Sequence, residues 1–405
     1  MPGYNQIRAL CEKDSDLSRT LIDEFLMYYA ARQDKTDREF ETRISRFKGT
    51  LKEMPANWKD LIKAQYIGHC IFKQGGLIKK YLNHAAVKER TSREQDYLRK
   101  LAAHPWRFSF AEVIANPVPD FYEMEDVFTG DVYLLYSRSI AQTLAENPVL
   151  LWFNLIGFNG SCWQTYGPVI GFKAFTPDDI FFYATELDPA IGSEADLAED
   201  LDENPVRYMV LTAGANYPLI QSRGHEVVQV FGEGLSANFD LGKLKGDFKV
   251  EYADPVFKLT HAMWSEPPHS SEAYYAEETG VVALTALTDQ GYHEMARLLQ
   301  KNGLDLPADP DIRIHLPMLT TMEKLYKRRP ELHPYAHLFE TKKSPATEAM
   351  LSNLNQFLAL ALPYINSGAD PDIEALAEQT GLDPETAREA YHQTLKKVRE
   401  MQKRQ

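Results

Sequence analysis

The spacing of apolar residues changes along the chain, and each change predicts a different kind of secondary structure. In the first hundred residues apolar side chains recur at every third or fourth position, as at Leu17, Leu21 and Phe25. This is the period of an amphipathic helix with one face turned towards the core. A second helical run is predicted to end at Gly49, and a third is predicted to follow Pro55.

Near residue 105 the period becomes two, which is the period of a strand. Aromatic residues alternate with polar ones over residues 106–110, and turn residues stand between apolar runs at Gly130-Asp131 and Asn159-Gly160. Such dipeptides are typical of tight turns between paired strands. The sequence therefore predicts a small antiparallel sheet or half-open barrel over residues 105–176.

The pattern beyond the predicted sheet is mixed. The segment Thr176-Pro177-Asp178-Asp179 has the composition of a helix start, with a capping hydroxyl, a proline and acidic side chains. Residues 186–204 are rich in acids and hold no Lys or Arg, which predicts an exposed linker or loop. Further predicted elements are strands at 206–212, 227–231, 247–252 and 281–287, and a helix over 289–302.

Three helix starts are predicted in the last part of the sequence. Ser344-Pro345 predicts a helix that ends or kinks at Pro363. Asp370-Pro371 predicts a second helix that stops at Gly381, and Asp383-Pro384 predicts a third, because Asp caps free N–H groups and Pro fits the first helical position.

The last two predicted helices resemble a helix-turn-helix in their small residues, Ala377, Gly381 and Ala387. The acids of the last helix would face phosphates, which is the wrong charge for a nucleic-acid surface. A helical hairpin for packing or protein contact is therefore preferred. The candidate contacts with a partner or a nucleic acid are Arg388, His392, Lys396 and Lys397.

Charge is segregated along the 405 residues. Residues 1–107 hold 21 bases and 14 acids, residues 108–340 hold 15 bases and 35 acids, and residues 341–405 hold 8 bases and 9 acids. We predict an α+β protein with a helical N-terminal domain, a largely antiparallel β-rich middle and a helical C-terminal module. The predicted domains are a helical basic domain at 1–104, a small antiparallel β domain at 105–185, an α+β domain at 205–340 and a helix-turn-helix-like module at 344–405.

Composition limits the cellular setting. A content of 44% hydrophobic and 25% charged residues is ordinary for a globular protein. The longest apolar run, 357–363, is too short for a membrane span, so no membrane partner is expected. The first residues show no secretory signal, and the three cysteines Cys11, Cys70 and Cys162 are too widely spaced for a zinc knuckle. Free thiols in a reducing compartment predict a cytoplasmic protein.

Motifs with specific chemistry are missing from the sequence. His333 and His337 have a spacing that could place two imidazoles on one helix face, yet surface or capping roles are preferred, and His261 and His269 are weaker candidates. The segment 231–234 is not a dinucleotide fingerprint, and 160–162 lacks a nucleophile elbow. We therefore predict no catalytic, cofactor-binding or metal-ligating residue and no cofactor.

Aromatic residues of the predicted sheet could in principle stack on single-stranded bases. Such a surface needs interleaved basic residues, and Arg138 is the one base between residues 108 and 172. The rings are therefore predicted to fill a small β core. They are Trp106, Phe108, Phe110, Trp152, Phe153, Phe158, Trp163 and Tyr166.

The stretch 126–133, with Ser137-Arg138-Ser139 and the later hairpin, resembles a barrel-like segment of uncharacterised bacterial proteins that often carry a SEC-C zinc knuckle. The stretch Gly280 to Gly303 is similar in order to the later part of those proteins. The clustered cysteines of the knuckle are absent here, so the resemblance carries no zinc role. It implies no reaction.

Three hypotheses of function follow. The first is a cytoplasmic protein-interaction or adaptor protein with no assignable reaction, and its partner is a protein. The second is a nucleic-acid-associated regulator that uses residues 370–400, with phosphate contacts from the basic first third. The third is an enzyme whose site is assembled from residues distant in sequence, which several titratable groups converging on one apolar pocket would indicate. The oligomeric state stays open.

Overall fold

The computed structural model describes the chain at residues 3–52, 54–146, 148–236, 239–244, 246, 248–330, 332, 335–339, 353–354, 356–358, 360–361, 364–365 and 370–402. The protein has the predicted α+β fold, with helices at both ends and a β-rich middle. It forms two compact units, Met1–Tyr335 and Ala336–Gln405. The division into four domains stays a prediction.

The first hundred residues are helical, as predicted. The elements are α1 Tyr4–Ser18, a π-helix Arg19–Leu26, α2 Met27–Arg32, α3 Thr36–Ile44, a 3-10 turn Ser45–Phe47, α4 Lys48–Leu51, α5 Trp58–Phe72, α6 Ile78–Tyr81, α7 Ala85–Lys88 and α8 Ser92–Ala103. The predicted helix end at Gly49 is wrong, because Gly49 lies within α4 and has no left-handed φ. The next residue, Thr50, is buried and donates to the carbonyl of Lys324, which holds α4 against the rest of the unit.

The predicted antiparallel sheet or half-open barrel is a closed five-stranded barrel. Its elements are β1 Arg107–Val118, β2 Phe121–Asp126, β3 Val132–Tyr136, α9 Arg138–Glu146, β4 Leu151–Phe158 and β5 Trp163–Phe172. The strand order is β1-β2-β3-β5-β4, with β3 parallel to β5 and every other pair antiparallel. This order, with one helix between β3 and β4, is the topology of the OB-fold barrel.

Alternation along the barrel strands separates two cores. Met124, Leu135 and Trp152 belong to a cluster inside the barrel. Phe110 and Phe153 face outward and pack in one continuous core with the N-terminal helices. Most of the rings predicted to fill a β core are buried, which agrees with the prediction, while Phe158, Trp163 and Tyr166 are partly exposed.

Helices follow the barrel. The first was predicted from its start at Thr176-Pro177, whereas the others replace the predicted loop at 186–204 and the predicted strand at 206–212, which are wrong. The helices are α10 Pro177–Leu187, α11 Glu194–Glu203, α12 Val206–Met209 and a 3-10 helix Val210–Gly214. The acidic stretch is helical because Ser193 caps it and Leu197 and Leu201, four residues apart, are buried. The apolar run after it is too short for its period to distinguish a strand from a buried helix.

A six-stranded antiparallel sheet forms the rest of the larger unit. Its strands are β8 Val228–Leu235, β9 Phe248–Ala253, β10 Val256–His261, β11 Ser271–Ala276, β12 Val281–Ala286 and β13 Ile312–His315, and a separate two-stranded ribbon joins β6 Gln221–Ser222 to β7 His225–Glu226. The helix α13 Asp289–Lys301 packs on the sheet, and α14 Leu316–Tyr326 follows β13. The predicted strands at 227–231, 247–252 and 281–287 and the predicted helix are confirmed, whereas β10, β11 and β13 were not predicted.

The smaller unit is helical, with α15 Ala336–Phe339, α16 Ile373–Thr380 and α17 Pro384–Gln402. Gly381 ends α16 with a φ of 65°, as predicted. The capping residue of α16 is Asp372 and not Asp370, because the Asp372 side chain accepts from the N–H of Ala375. The predicted helix from Ser344-Pro345 to Pro363 begins and ends outside the described residues.

Candidate functional site

A buried acid and a buried histidine join two helix starts in the larger unit. Asp179 lies in the first turn of α10, where its Oδ2 accepts from the N–H of Thr176 at 2.7 Å. The same carboxylate accepts from the backbone N–H of His315 at 2.8 Å, and Nδ1 of His315 lies 2.9 Å from Oδ2. His315 is the residue before α14. This pair therefore fixes α10 against β13 and α14.

The environment of His315 favours its protonated form. Burial lowers the pKa of His315, but the hydrogen bond and the negative charge of Asp179 raise it more, so the pKa lies above its ordinary value. The Nε2 atom of His315 lies 3.7 Å from a carboxylate oxygen of Glu226 and 3.4 Å from Nη1 of Arg313. Both ring nitrogens thus face protein groups.

Arg313 extends the network towards the surface. Its Nε and Nη2 donate to the two carboxylate oxygens of Asp289 at 2.9 and 3.1 Å, and Nη2 also donates to Glu226 at 3.0 Å. Burial lowers the pKa of Arg313, but its bonds to Asp289 and Glu226 raise it more. The guanidinium charge is therefore matched by carboxylates of the protein itself.

A cavity of about 760 Å³ lies beside this network, between α10 and the segment that leads into β13. Its apolar wall includes Phe128, Phe181 and Phe182. Its acidic side chains are Asp178, Glu186, Glu194 and Asp311. Arg313 is the one basic side chain among the lining residues. The volume is within the range of sites that hold a small molecule or the side chains of a peptide.

The cavity is negatively charged because its acids are not neutralised. Within the described residues, the side chains of Asp178, Glu186 and Glu194 have no hydrogen bond or ion pair, and those of Asp178, Glu194 and Asp311 are exposed at the rim. Asp311 accepts from the N–H of Glu233 at 2.7 Å, which fixes its carboxylate but supplies no positive charge. Aromatic rings with carboxylates at the rim form an environment suited to an organic cation.

The histidines flagged by sequence lie in different places. His269 contacts His225, with ring centroids 4.4 Å apart, and its Nδ1 lies 2.8 Å from Oγ1 of Thr288. Burial lowers the pKa of His269, and the neighbouring His225 adds to this. His261 caps a short turn by accepting from the N–H of Met263. Over the described parts of the chain, no group of three or more His, Cys, Asp or Glu is arranged to hold a metal ion.

His333 lies outside the described residues, as do Glu331, Pro334 and Glu340. Its partner in the predicted spacing, His337, lies in α15 of the smaller unit. The structure therefore gives no placement for the His333–His337 pair.

A second buried acid–histidine pair joins α5 to α11. Nε2 of His69 lies 2.7 Å from Oδ1 of Asp202, and His69 is buried. Burial lowers the pKa of His69 more than Asp202 raises it. The pair lines a smaller cavity of about 310 Å³. Because Arg43 and Lys73 also line it, its charge is mixed and indicates no single class of ligand.

Three of the four candidate contacts in the smaller unit share one face of α17. Arg388, His392 and Lys396 follow each other at intervals of four, and all three are exposed. Arg388 donates to Oε1 of Glu374 at 2.7 Å, so its charge is already paired. Lys397 belongs to the same helix, and its side chain is outside the part of the chain that the structure describes.

The outer face of the barrel is covered by the chain itself. OB-fold barrels bind oligonucleotides or oligosaccharides on the face of β2 and β3 and on neighbouring loops. Here α1 packs on that face, with Ile7 in a cluster with Phe121 and Tyr136. Arg8 donates to the carbonyl of Pro119 in the loop between β1 and β2, at 2.7 Å. A nucleic acid could reach this face only after α1 had moved.

Two further basic side chains belong to the barrel region. Arg138 forms an ion pair with Glu12 of α1 and lines a cavity of about 410 Å³ there. The guanidinium of Arg107 lies 5.4 Å from the ring centre of Trp163. Both side chains thus have partners within the protein, and neither lines the acidic cavity.

The sequence did not indicate the residues that build the acidic cavity and its network. The start of α10 was predicted, so an acid at Asp179 was expected, but its partner lies 136 positions away. One feature of the sequence could have indicated the network. Arg313 and His315 alternate with Ile312 and Ile314, so two polar residues interrupt a short apolar run. An isolated charged residue in such a run needs a partner when it is buried.

No protein-family model matches the chain, and no curated protein and no solved structure matches it. The resemblance to SEC-C-associated proteins stays a hypothesis. Function must therefore be argued from the site.

Among the described residues, no helix is long and apolar enough to cross a membrane.

Proposed function

We propose that this chain is a cytoplasmic protein-interaction or adaptor protein, and that its acidic cavity receives a basic segment of a partner protein. The observation that carries the proposal is the unneutralised set Asp178, Glu186 and Glu194 beside the rings of Phe181 and Phe182. The other residues of the site hold this surface in shape.

A Lys or Arg side chain matches the cavity in two ways. Its alkyl stem can lie on the apolar wall formed by Phe128, Phe181 and Phe182. Its charged end can reach the rim carboxylates and interact with the ring faces. The net charge of residues 108–340, with 35 acids against 15 bases, attracts a basic partner over longer distances at low salt.

The walls of the cavity are held in place before any ligand arrives. Asp179 and His315 tie α10 to β13, and Arg313 ties β13 to Asp289 at the start of α13. Such preorganisation lowers the conformational cost of binding. Since Asp179 and His315 are both buried and engaged with each other, they support the site and do not face a bound molecule.

A peptide titration tests the proposal. We would use two fluorescent peptides of equal length, one with Lys at alternating positions and one with Gln at those positions, at low and at moderate salt. The Lys peptide is expected to bind and the Gln peptide is not, and the affinity should fall as salt rises. Equal binding of the two peptides, or no binding of the Lys peptide at low salt, would contradict the proposal.

Paired variants locate the binding. The double variant Glu186→Gln/Glu194→Gln removes two charges from the cavity, and Glu277→Gln/Glu278→Gln removes two exposed charges elsewhere. The first is expected to weaken binding about tenfold, since two partly screened ion pairs together contribute roughly 1.4 kcal/mol. The second should change binding little. An equal effect of both would show that binding is non-specific.

A further inference from the structure

Two cysteines far apart in sequence meet where α1 crosses the barrel. Sγ of Cys11, in α1, lies 3.4 Å from Sγ of Cys162, in the turn between β4 and β5. Both residues are buried, with 0% and 1% of their surface exposed. The two positions are 151 residues apart, so no spacing rule could predict the contact.

The turn that carries Cys162 is fixed by side-chain hydrogen bonds. Oδ1 of Asn159 accepts from the N–H groups of Ser161 and Cys162, each at 3.0 Å. Nδ2 of Asn159 donates to Sγ of Cys11 at 3.2 Å. Nε2 of Gln164 donates to the carbonyl of Cys11 at 3.1 Å. The same polar groups thus hold both thiols towards each other.

The environment of the pair shifts the pKa values of the two thiols in opposite directions. Hydrogen bonding from Cys162 lowers the pKa of Cys11, burial opposes this, and the bond from Asn159 lowers the pKa further. The same contact raises the pKa of Cys162, and burial adds to the rise. Cys11 is therefore the thiol of the pair that loses its proton more readily, and the thiolate is the reactive form of a cysteine.

We propose that Cys11 and Cys162 are a redox pair that closes to an intramolecular disulfide and thereby fixes α1 on the outer face of the barrel. The oxidant is a hydroperoxide. The Cys11 thiol first releases its proton to solvent, and the thiolate attacks one peroxide oxygen. The O–O bond breaks, the sulfur becomes a sulfenic acid, and the second oxygen leaves as hydroxide or alkoxide, which takes up a proton from solvent to give water or an alcohol. The sulfur of Cys162 then attacks that of Cys11, the S–O bond breaks, and the oxygen leaves as water with the proton of the Cys162 thiol.

The geometry requires a small movement. An S–S bond is about 2.05 Å long, so the sulfurs must approach by roughly 1.4 Å. Because both thiols are buried, the oxidant reaches them when α1 opens locally. The disulfide removes this opening. A covalently held α1 then keeps the face of β2 and β3, with Phe121 and Tyr136, closed to other molecules.

Cys70 provides an internal control. It lies in α5, away from the pair, and burial raises its pKa to about 11. Its thiol is therefore protonated at neutral pH and reacts slowly with peroxide. Treatment of the full chain with hydrogen peroxide, alkylation of the remaining thiols and peptide mass mapping should show a Cys11–Cys162 disulfide and an alkylated Cys70.

Mass mapping and hydrogen exchange of the natural chain test the proposal even if a cysteine variant folds poorly. In the unmodified chain, hydrogen exchange of α1 should slow after oxidation and return to its starting rate after reduction with dithiothreitol. Cys11→Ser and Cys162→Ser should abolish this change, whereas Cys70→Ser should retain it. A disulfide that includes Cys70, alkylation of Cys11 and Cys162 in the oxidised sample, or unchanged exchange of α1 would overturn the proposal.

Discussion

Nδ1 of His315 lies 2.9 Å from Oδ2 of Asp179, and the two side chains are 2% and 0% exposed. The Asp179 carboxylate is also the acceptor for two backbone N–H groups, those of Thr176 and His315. One side chain thus caps the start of a helix, fixes a strand end and pairs with the imidazole of His315. Removal of it leaves several buried polar groups without partners.

We therefore expect Asp179→Ala to lower the free energy of unfolding by about 3–5 kcal/mol, the usual effect of breaking a buried pair. The matched control is Asp178→Ala, its exposed neighbour in the same helical turn, for which we expect a loss below about 1 kcal/mol. Urea unfolding followed by tryptophan fluorescence measures both, since all five tryptophans lie in the larger unit. Equal losses would contradict the assigned role of Asp179.

The pH dependence of stability should reveal the state of His315. Its pKa in the folded protein lies above the ordinary value of about 6.5, so protonation favours the folded state. This stabilisation is complete below the ordinary pKa and is lost as pH rises through the folded-state pKa. The difference in unfolding free energy between the natural chain and His315→Gln should therefore decrease as pH is raised above about 6.5. An increase over that range would show that His315 is buried in its neutral form.

His69 should behave in the opposite way. Its pKa in the folded protein is lowered, chiefly by burial, so the neutral form favours folding. Its contribution is present above the ordinary pKa and is lost as pH falls through the folded-state pKa. The difference between the natural chain and His69→Gln should thus shrink on acidification. If both histidine variants showed the same trend with pH, the two pairs would not differ as described.

The barrel wall depends on a close approach at Gly157. A Cβ at this position of β4 would collide with the indole of Trp106 and would lie 2.9 Å from the ring of Tyr166. These two rings are stacked, with centroids 3.7 Å apart, so neither ring can move aside without displacing the other. We expect Gly157→Ala to destabilise the protein by about 1–3 kcal/mol through overpacking.

Gly49→Ala is the control for that substitution. A Cβ on Gly49 meets ordinary contacts, the nearest at 3.6 Å to Lys327, and alanine favours the helical position. Thermal unfolding should show a lower melting temperature for Gly157→Ala and an unchanged or higher one for Gly49→Ala. Similar melting temperatures would mean that the barrel wall adapts to the added methyl group.

The antiparallel hairpins of the barrel could be predicted from sequence because their information is local, whereas its closure through the parallel pair β3–β5 was not predicted. Gly130 and Gly160 both have left-handed φ angles, of 68° and 85°, at the turns where the sequence placed them. Alternation then assigned the faces of the strands. The stretch 194–203 was assigned wrongly because its acids suggested solvent on all sides, while two leucines on one face were enough to hold a helix.

The cavity could not be predicted because its parts come from separate elements. Phe128 precedes β3, Glu186 lies in the last turn of α10, and Arg313 lies in β13, a strand of four residues that was not predicted from the sequence. Each residue alone is an ordinary aromatic or charged side chain. These groups become neighbours only in the folded chain, and a single sequence does not show which distant residues will be neighbours.

A DNA-binding measurement on the exposed face of α17 tests the alternative function as a nucleic-acid-associated regulator. We expect duplex DNA to show no retardation by the full chain at low salt, because Arg388 is paired with Glu374 and Glu389 is exposed beside it. A gel-shift series at rising salt, with Arg388→Gln/His392→Gln/Lys396→Gln as the comparison, measures this. Retardation that the triple variant loses and that salt weakens would support a nucleic-acid-associated regulator instead.

Hydrogen exchange of the full chain with and without the Lys peptide tests the central claim most directly. If the acidic cavity receives basic segments, the peptide should slow exchange at α10, at the start of α11 and at residues 310–313, and should leave α1 and α17 unchanged. Protection confined to α17 or to the barrel face, with none at the cavity, would contradict the account.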